Sequence, residues 1–99
     1  MRIGKVIGTV TLNRRHPSLR GYGLKLVVPQ SWDNLLERSE ASMGETVVLD
    51  ELGAGIGNLI ALGEGREAAM PFYPDRKPVD SYNAAILDTL HVELPDDLK

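Results

Sequence analysis

The sequence predicts a mainly β fold, a small barrel of about five short strands with one short α-helix near the C-terminus. Three observations carry that prediction: period-two alternation close to the N-terminus, β-branched segments bounded by proline and glycine, and a crowd of glycines in the middle of the chain. Five of the ten glycines fall within thirteen residues, at Gly53, Gly55, Gly57, Gly63 and Gly65, around the apolar run Leu59-Ile60-Ala61-Leu62. Each glycine costs roughly 0.5 to 1 kcal/mol relative to alanine in ordered backbone. Such a density therefore implies tight turns, or close approach of other backbone, at both ends of that strand.

The first strand is read over Arg2 to Leu12, with Gly4, Val6, Gly8, Val10 and Leu12 on one face and Lys5, Thr9 and Thr11 on the other. Two glycines on one face suit a sharply coiled strand of a small barrel. Asn13 to Gly21 is a polar loop. Leu24, Leu26 and Val28 alternate with Lys25 and Val27 in a second strand, which Pro29 ends because proline cannot donate to a ladder. Residues 30–45 read as a loop holding a short helix near Leu35 to Arg38. Thr46 to Leu49 is a β-branched third strand, Asn58 to Leu62 a fourth, and residues 50–57 join them. Pro78-Val79-Asp80 opens the predicted helix, which runs to about Leu87 with Asp80 as N-cap and Val79, Tyr82 and Ile86 on one stripe. Thr89 to Leu94 alternates again as the fifth strand. Five short strands and one helix fit an OB-like β-barrel better than a βαβ sheet.

At 99 residues the chain forms one domain, read as residues 1–94 with a C-terminal tail at 95–99. Such a domain buries roughly two thirds of its unfolded surface. The absence of cysteine excludes disulfides and thiolate metal sites, and fits a reducing cytoplasm. No apolar run approaches the ~20 residues of a membrane span, and the first residues lead into a strand pattern rather than a signal peptide. The net charge of −3 conceals an asymmetry. Residues 1–25 carry Arg2, Lys5, Arg14, Arg15, Arg20 and Lys25 without one acid, whereas all fourteen acids lie beyond them. Such a chain either presents a nucleic-acid face or joins basic edge to acidic edge between subunits.

Gly53-Ala54-Gly55-Ile56-Gly57 does not make a dinucleotide fingerprint, since the third glycine is misplaced and a strand follows instead of a helix. No Gly-Lys-Ser/Thr follows it either, so it is no phosphate loop. His16 and His91 stand far apart, without metal-ligand spacing. Asp50-Glu51 reads as a solvated rim, because adjacent strand residues point to opposite sides. No nucleophile has an activating neighbour. The expectation is a non-enzymatic protein with no catalytic residue, cofactor or metal, and no membrane partner. The basic loop of Arg14, Arg15, His16 and Arg20 leaves one alternative, an OB-type protein that binds single-stranded nucleic acid, but the strands lack an aromatic stacking platform.

Several segments, taken in order over residues 1–93, resemble the EutN/CcmL family of bacterial microcompartment vertex proteins. Met1-Arg2-Ile3-Gly4-Lys5-Val6-Ile7-Gly8-Thr9-Val10 is similar to the family's first strand, and His16-Pro17-Ser18-Leu19-Arg20-Gly21 to its proline-serine-leucine loop. Asp50-Glu51-Leu52-Gly53-Ala54-Gly55-Ile56-Gly57 is similar to its acidic residue followed by Gly-Ala-Gly. Pro78-Val79-Asp80 with residues 84–89 resembles its closing helix and strand. Gly63 to Ala69 departs from the family's small-residue turn by carrying charge, and residues 30–45 match poorly.

The resemblance implies a barrel that assembles as a homo-pentamer and occupies the vertices of a polyhedral shell among hexameric shell proteins, within the cytoplasm. A ring also fits the charge asymmetry, because head-to-tail contacts close when their rotation divides the circle. The expected subunit-contact or tight-turn residues are Gly53, Ala54, Gly55, Gly57, Gly63 and Gly65, with Gly53 and Gly55 in conformations that tolerate no Cβ. The expected contacts with neighbouring tiles are Asn13, Arg14, Arg15, His16, Pro17, Ser18, Leu19 and Arg20. No nucleic acid is expected as a partner on this reading.

Overall fold

Alternation at the N-terminus becomes β1 (Arg2–Val10), and the apolar run before Pro29 becomes β2 (Gly23–Pro29). The computed structural model describes residues 1–12, 14, 17–19, 21–40, 44–73 and 80–92. Within these, β3 (Thr46–Asp50), β4 (Leu59–Glu64) and β5 (Ser81–Ile86) complete a closed barrel of order β1-β2-β3-β5-β4. Every pairing is antiparallel except β3 with β5, which meet in parallel through Leu49 and Tyr82.

Val6, Val27, Val48, Ile60 and Leu62 fill the interior, joined by Ala54 from the β3–β4 connection. Gly4 faces the same space. A Cβ there would overlap Val27 Cγ1 and touch Ile60 and Leu62, so the missing side chain is what lets Val27 reach the axis. The β1–β2 register then jumps from Val6 opposite Val27 to Gly8 opposite Leu26, which leaves Ile7 as a bulge. Past the bulge the faces exchange: Gly8 and Val10 stand with Leu26 and Leu24 on the outer wall. The expected single face of Gly4, Val6, Gly8, Val10 and Leu12 therefore breaks at Ile7, and the strand ends at Val10 rather than Leu12.

The short helix expected within residues 30–45 is present as α1 (Trp32–Leu35), three residues earlier than the Leu35 to Arg38 reading. Ser31 sets its start. The Ser31 hydroxyl accepts from the Asn34 N–H while Asn34 Oδ1 accepts from the Ser31 N–H, a reciprocal capping box. Asn34 Nδ2 also donates to the carbonyls of Ser39 and Glu40, so this excursion is closed on itself. A second four-residue helix, α2 (Arg66–Ala69), follows β4 and buries Ala68. The 3-10 turn Met70–Phe72 then carries Phe72 onto the outer wall, edge-on to both Tyr22 and Tyr82 at 5.7 and 5.4 Å.

The C-terminal third corrects two expectations. Among the described residues no helix forms near the C-terminus, because Ser81–Ile86, read as its body, is β5, with Ser81 and Asn83 buried and Ala84 exposed. Without it the barrel has no strand between β3 and β4, and the ladder bonds of closure outweigh a local helical pattern. Asp80 instead precedes β5, and its carbonyl accepts from the Gly65 N–H at 2.8 Å. The second correction is that residues 89–92 form no strand. Pro78 and Val79, residues 93–94 and the tail at 95–99 lie outside the described residues.

A candidate assembly site at the glycine-rich connection

Asp50 ends β3 with its side chain fully enclosed, and it organises the connection that follows. Its Oδ1 accepts from the Leu52 and Gly53 N–H groups at 2.9 and 3.2 Å, and Oδ2 accepts from the Ala54 N–H at 2.7 Å. From the two flanking strands, Asn83 Nδ2 of β5 donates to Oδ1 at 2.9 Å, while Lys25 Nζ of β2 stands 3.9 Å from Oδ2. A carboxylate needs about this many donors to lie buried without a large desolvation cost. The result is a loop wrapped around its own anchor, with Ala54 pressed into the core.

Asn58 ties the second half. The Gly55 N–H donates to Asn58 Oδ1 at 2.7 Å, and the Asn58 N–H returns to the Gly55 carbonyl at 3.0 Å, closing a turn over Ile56 and Gly57. Gly57 has φ +92°, the value a type II turn requires at that position. The loop also joins the wall, because the Gly57 N–H donates to the Val6 carbonyl and the Val6 N–H to the Asn58 carbonyl, at 2.8 and 3.0 Å. Leu52 and Ile56 are left outside, Ile56 with 73% of its surface exposed. The connection is thus a fixed platform that buries one small residue and presents two large apolar ones.

Of the glycines singled out from sequence, Gly53 has φ +75° and Gly65, in the turn after β4, has φ +63°; both occupy the left-handed region. Gly55 does not, and a Cβ there meets only Asn58 Oδ1, at 3.4 Å, so the expectation that Gly55 tolerates no Cβ is corrected. Gly63 is a buried residue of β4 rather than part of the turn. In the basic loop, Pro17–Leu19 forms a 3-10 turn, after which the Tyr22 N–H donates to the Leu19 carbonyl at 3.3 Å, with Ser18 and Leu19 half-buried. Arg14 is exposed. Asn13, Arg15, His16 and Arg20 lie outside the described residues.

The reading of Asp50-Glu51 as a solvated rim holds for Glu51 and fails for Asp50. Glu51 accepts from the Tyr82 hydroxyl at 3.0 Å, and burial, then that hydrogen bond, push the hydroxyl's pKa up. Asp50 is the site's central residue, and the local signal was an aspartate followed by two or three residues ending in glycine, the pattern of a side chain that bonds backbone N–H groups ahead of it. At the opposite end of the barrel, Arg2 donates through Nε and Nη2 to the two oxygens of Glu64 at 2.6 and 2.8 Å. Those hydrogen bonds are the main reason the Glu64 carboxyl lies below its usual range.

Among the described residues, no three of His, Cys, Asp and Glu are grouped to hold a metal ion, and no helix is long and apolar enough to cross a membrane. The fold and the site define a class: a small closed β-barrel in which a buried carboxylate holds backbone in place, with large apolar side chains displayed outside. The chain belongs to the EutN/CcmL family, whose model, described as ethanolamine utilisation protein EutN/carboxysome, matches residues 1–88.

Similar proteins extend over nearly all of the chain. The carboxysome shell vertex protein CcmL of Nostoc sp. is 38% identical over 94% of this chain and 88% of its own length. The bacterial microcompartment shell vertex protein PduN of Salmonella typhimurium is 37% identical over 91% and 98% respectively. Among solved structures, the GrpN pentameric microcompartment shell protein from Rhodospirillum rubrum superposes with a TM-score of 0.76 at 29% identity, covering 94% of this chain and 100% of that one.

Proposed function

We propose that this protein is a non-enzymatic structural subunit that forms homo-pentamers and caps the vertices of a bacterial microcompartment shell in the cytoplasm. The observation that carries the reading is the near full-length similarity to proteins named as shell vertex subunits, on a barrel of matching fold. The strand order with a single parallel pair supports an OB-like description of that barrel. Hexameric shell proteins are its neighbours on this reading, as flat hexagonal layers close only with pentagons.

Two contact roles follow. The glycine-rich connection, with Leu52 and Ile56 outside and Gly53, Ala54, Gly55 and Gly57 fixed beneath them, serves subunit contact, and Gly63 and Gly65 shape the far end of β4. The loop at 13–20 meets neighbouring shell tiles. Charge reversal at Arg14 and Arg15 would then leave the isolated ring intact and weaken shell closure; normal closure would return the loop to solvent.

Binding of single-stranded nucleic acid is not favoured. Tyr22 and Tyr82 are engaged edge-on with Phe72, which leaves them unsuited as a platform for stacked bases.

Native mass spectrometry across a range of salt concentrations tests the proposal. A stable species of five 10.8 kDa subunits supports it, and a persistent monomer rejects it.

A further inference from the structure

Asn83 Oδ1 is fully enclosed in the barrel and meets no hydrogen-bond donor among the described residues. Reversing the amide does not relieve it. Asp50 Oδ1 already accepts from the Leu52 and Gly53 N–H groups, so the Asn83 atom that faces this carboxylate at 2.9 Å has to be the Nδ2 donor, which turns Oδ1 away from it. Buried acceptors in folded proteins nearly always find a protein donor or an ordered water.

Two neighbouring features supply space and a donor. The β4–β5 register shifts between Ala61, opposite Ala85, and Leu62, opposite Asn83, so Ala84 is an extra residue and the ladder opens directly beside Asn83. On β2, Lys25 pairs with the fully buried Val48 and lies two residues from the buried Val27, which places its side chain on the inner face. That side chain is only 18% exposed, yet Nζ stands 3.9 Å from Asp50 Oδ2, beyond the reach of a direct hydrogen bond. A polar separation of this kind suits a bridging water.

We propose that the barrel interior is the site of one resident water, which donates to Asn83 Oδ1 and accepts from the Lys25 ammonium. Both residues meet the same Asp50 carboxylate, and two polar partners are enough to retain an internal water. A cation is disfavoured there, because the Lys25 ammonium repels it and the Asp50 oxygens that would coordinate it already accept from backbone N–H groups. The water joins β5 to β2 across β3, the strand between them. It thereby braces a seam that needs support, since β3 and β5 pair only through Leu49 and Tyr82.

The test is a crystal structure of the wild-type protein, grown from a rubidium salt at neutral pH, with anomalous data and at a resolution that assigns ordered waters. The expected result is a peak within about 3 Å of both Asn83 Oδ1 and Lys25 Nζ, without anomalous signal. An anomalous peak there identifies a cation and overturns the proposal. So does an Asn83 Oδ1 that has no peak beside it or that meets a protein donor directly. Lys25→Met supplies a second arm, in which the peak should be lost or fall several-fold in occupancy while the Asn83–Asp50 hydrogen bond remains. A peak at full occupancy in that variant overturns the bridge to Lys25.

Discussion

Asp50 and Asn83 meet inside the barrel, 33 residues apart in the chain, with Asn83 Nδ2 donating to Asp50 Oδ1 at 2.9 Å. The contact links β3 to β5 beside their short parallel pairing and, through the same carboxylate, links both to the glycine-rich connection. Asn83 is fully buried and its Oδ1 finds no donor among the described residues, so the amide is held from one side only.

Asp50→Asn tests whether the carboxylate, rather than its shape, holds the connection. The amide has one acceptor oxygen in place of two and turns an NH2 group toward donors already present. Hydrogen bonds to a charged group contribute roughly 1.5 to 3 kcal/mol each when their loss leaves buried groups unpaired. The variant should therefore lose at least about 2 kcal/mol in urea unfolding. A loss under about 0.5 kcal/mol, the range of ordinary surface substitutions, would show that the backbone holds the loop unaided.

Gly53 and Gly55 separate conformational need from mere spacing. Gly53 has φ +75° with nothing within 4 Å of an added Cβ, so its penalty is purely one of backbone. Gly53→Ala should destabilise by about 1 to 2 kcal/mol, the cost of an L-residue in the left-handed region. Gly55→Ala should be neutral within about 0.5 kcal/mol or mildly stabilising, because alanine restricts the unfolded chain. Equal losses in the two variants, read from denaturant midpoints, would count against this distinction.

Much of the wall was legible in the sequence because β1 to β4 carry their evidence locally, in alternation, β-branched residues and a terminating proline. The turn chemistry at Gly53 and Gly57 was legible for the same reason. What escaped has partners far along the chain. Ser81 to Ile86 spells a plausible helix until β3 and β4 are in place and require a strand between them. Asp50 carries a local signal in the glycine that follows it, but its full burial rests on Asn83 and Lys25 from the neighbouring strands. Ile7 reads as one more alternating position, and only pairing with β2 reveals it as the extra residue that exchanges the faces of β1.

Gly4 and Val27 share one volume, and a double-mutant cycle should expose it. Gly4→Ala alone places a methyl group on Val27 Cγ1, and overpacking of this kind costs about 1 to 3 kcal/mol. Val27→Ala alone leaves a cavity among Val6, Ile60 and Leu62. With both changes the new methyl partly occupies the space vacated by the old side chain, so the double variant should be more stable than the sum of the single losses predicts. Strict additivity would mean that the strands separate to admit the methyl group and that Val27 does not set their spacing.

The Arg2–Glu64 pair closes the end of the barrel opposite the glycine-rich connection, and it gives a pH signature of defined sign. The Glu64 pKa is lowered in the folded protein, chiefly by its hydrogen bonds from Arg2, so the folded state binds its proton less readily than the unfolded chain. The pair's stabilisation is present above the carboxyl's ordinary value of 4.5 and is lost as the pH falls through the lower folded value. The side chains are 47% and 35% exposed, so its size belongs with surface pairs, about 0.2 to 1 kcal/mol, and salt screens it. Glu64→Gln should lower the melting temperature slightly at pH 7 in dilute buffer, and the gap to wild type should narrow toward pH 3 and at high ionic strength. Other carboxylates shift both curves together, so the difference between the two proteins is the quantity to follow. A gap that stays constant from pH 7 to pH 3 would place the contribution of Glu64 in packing rather than in charge.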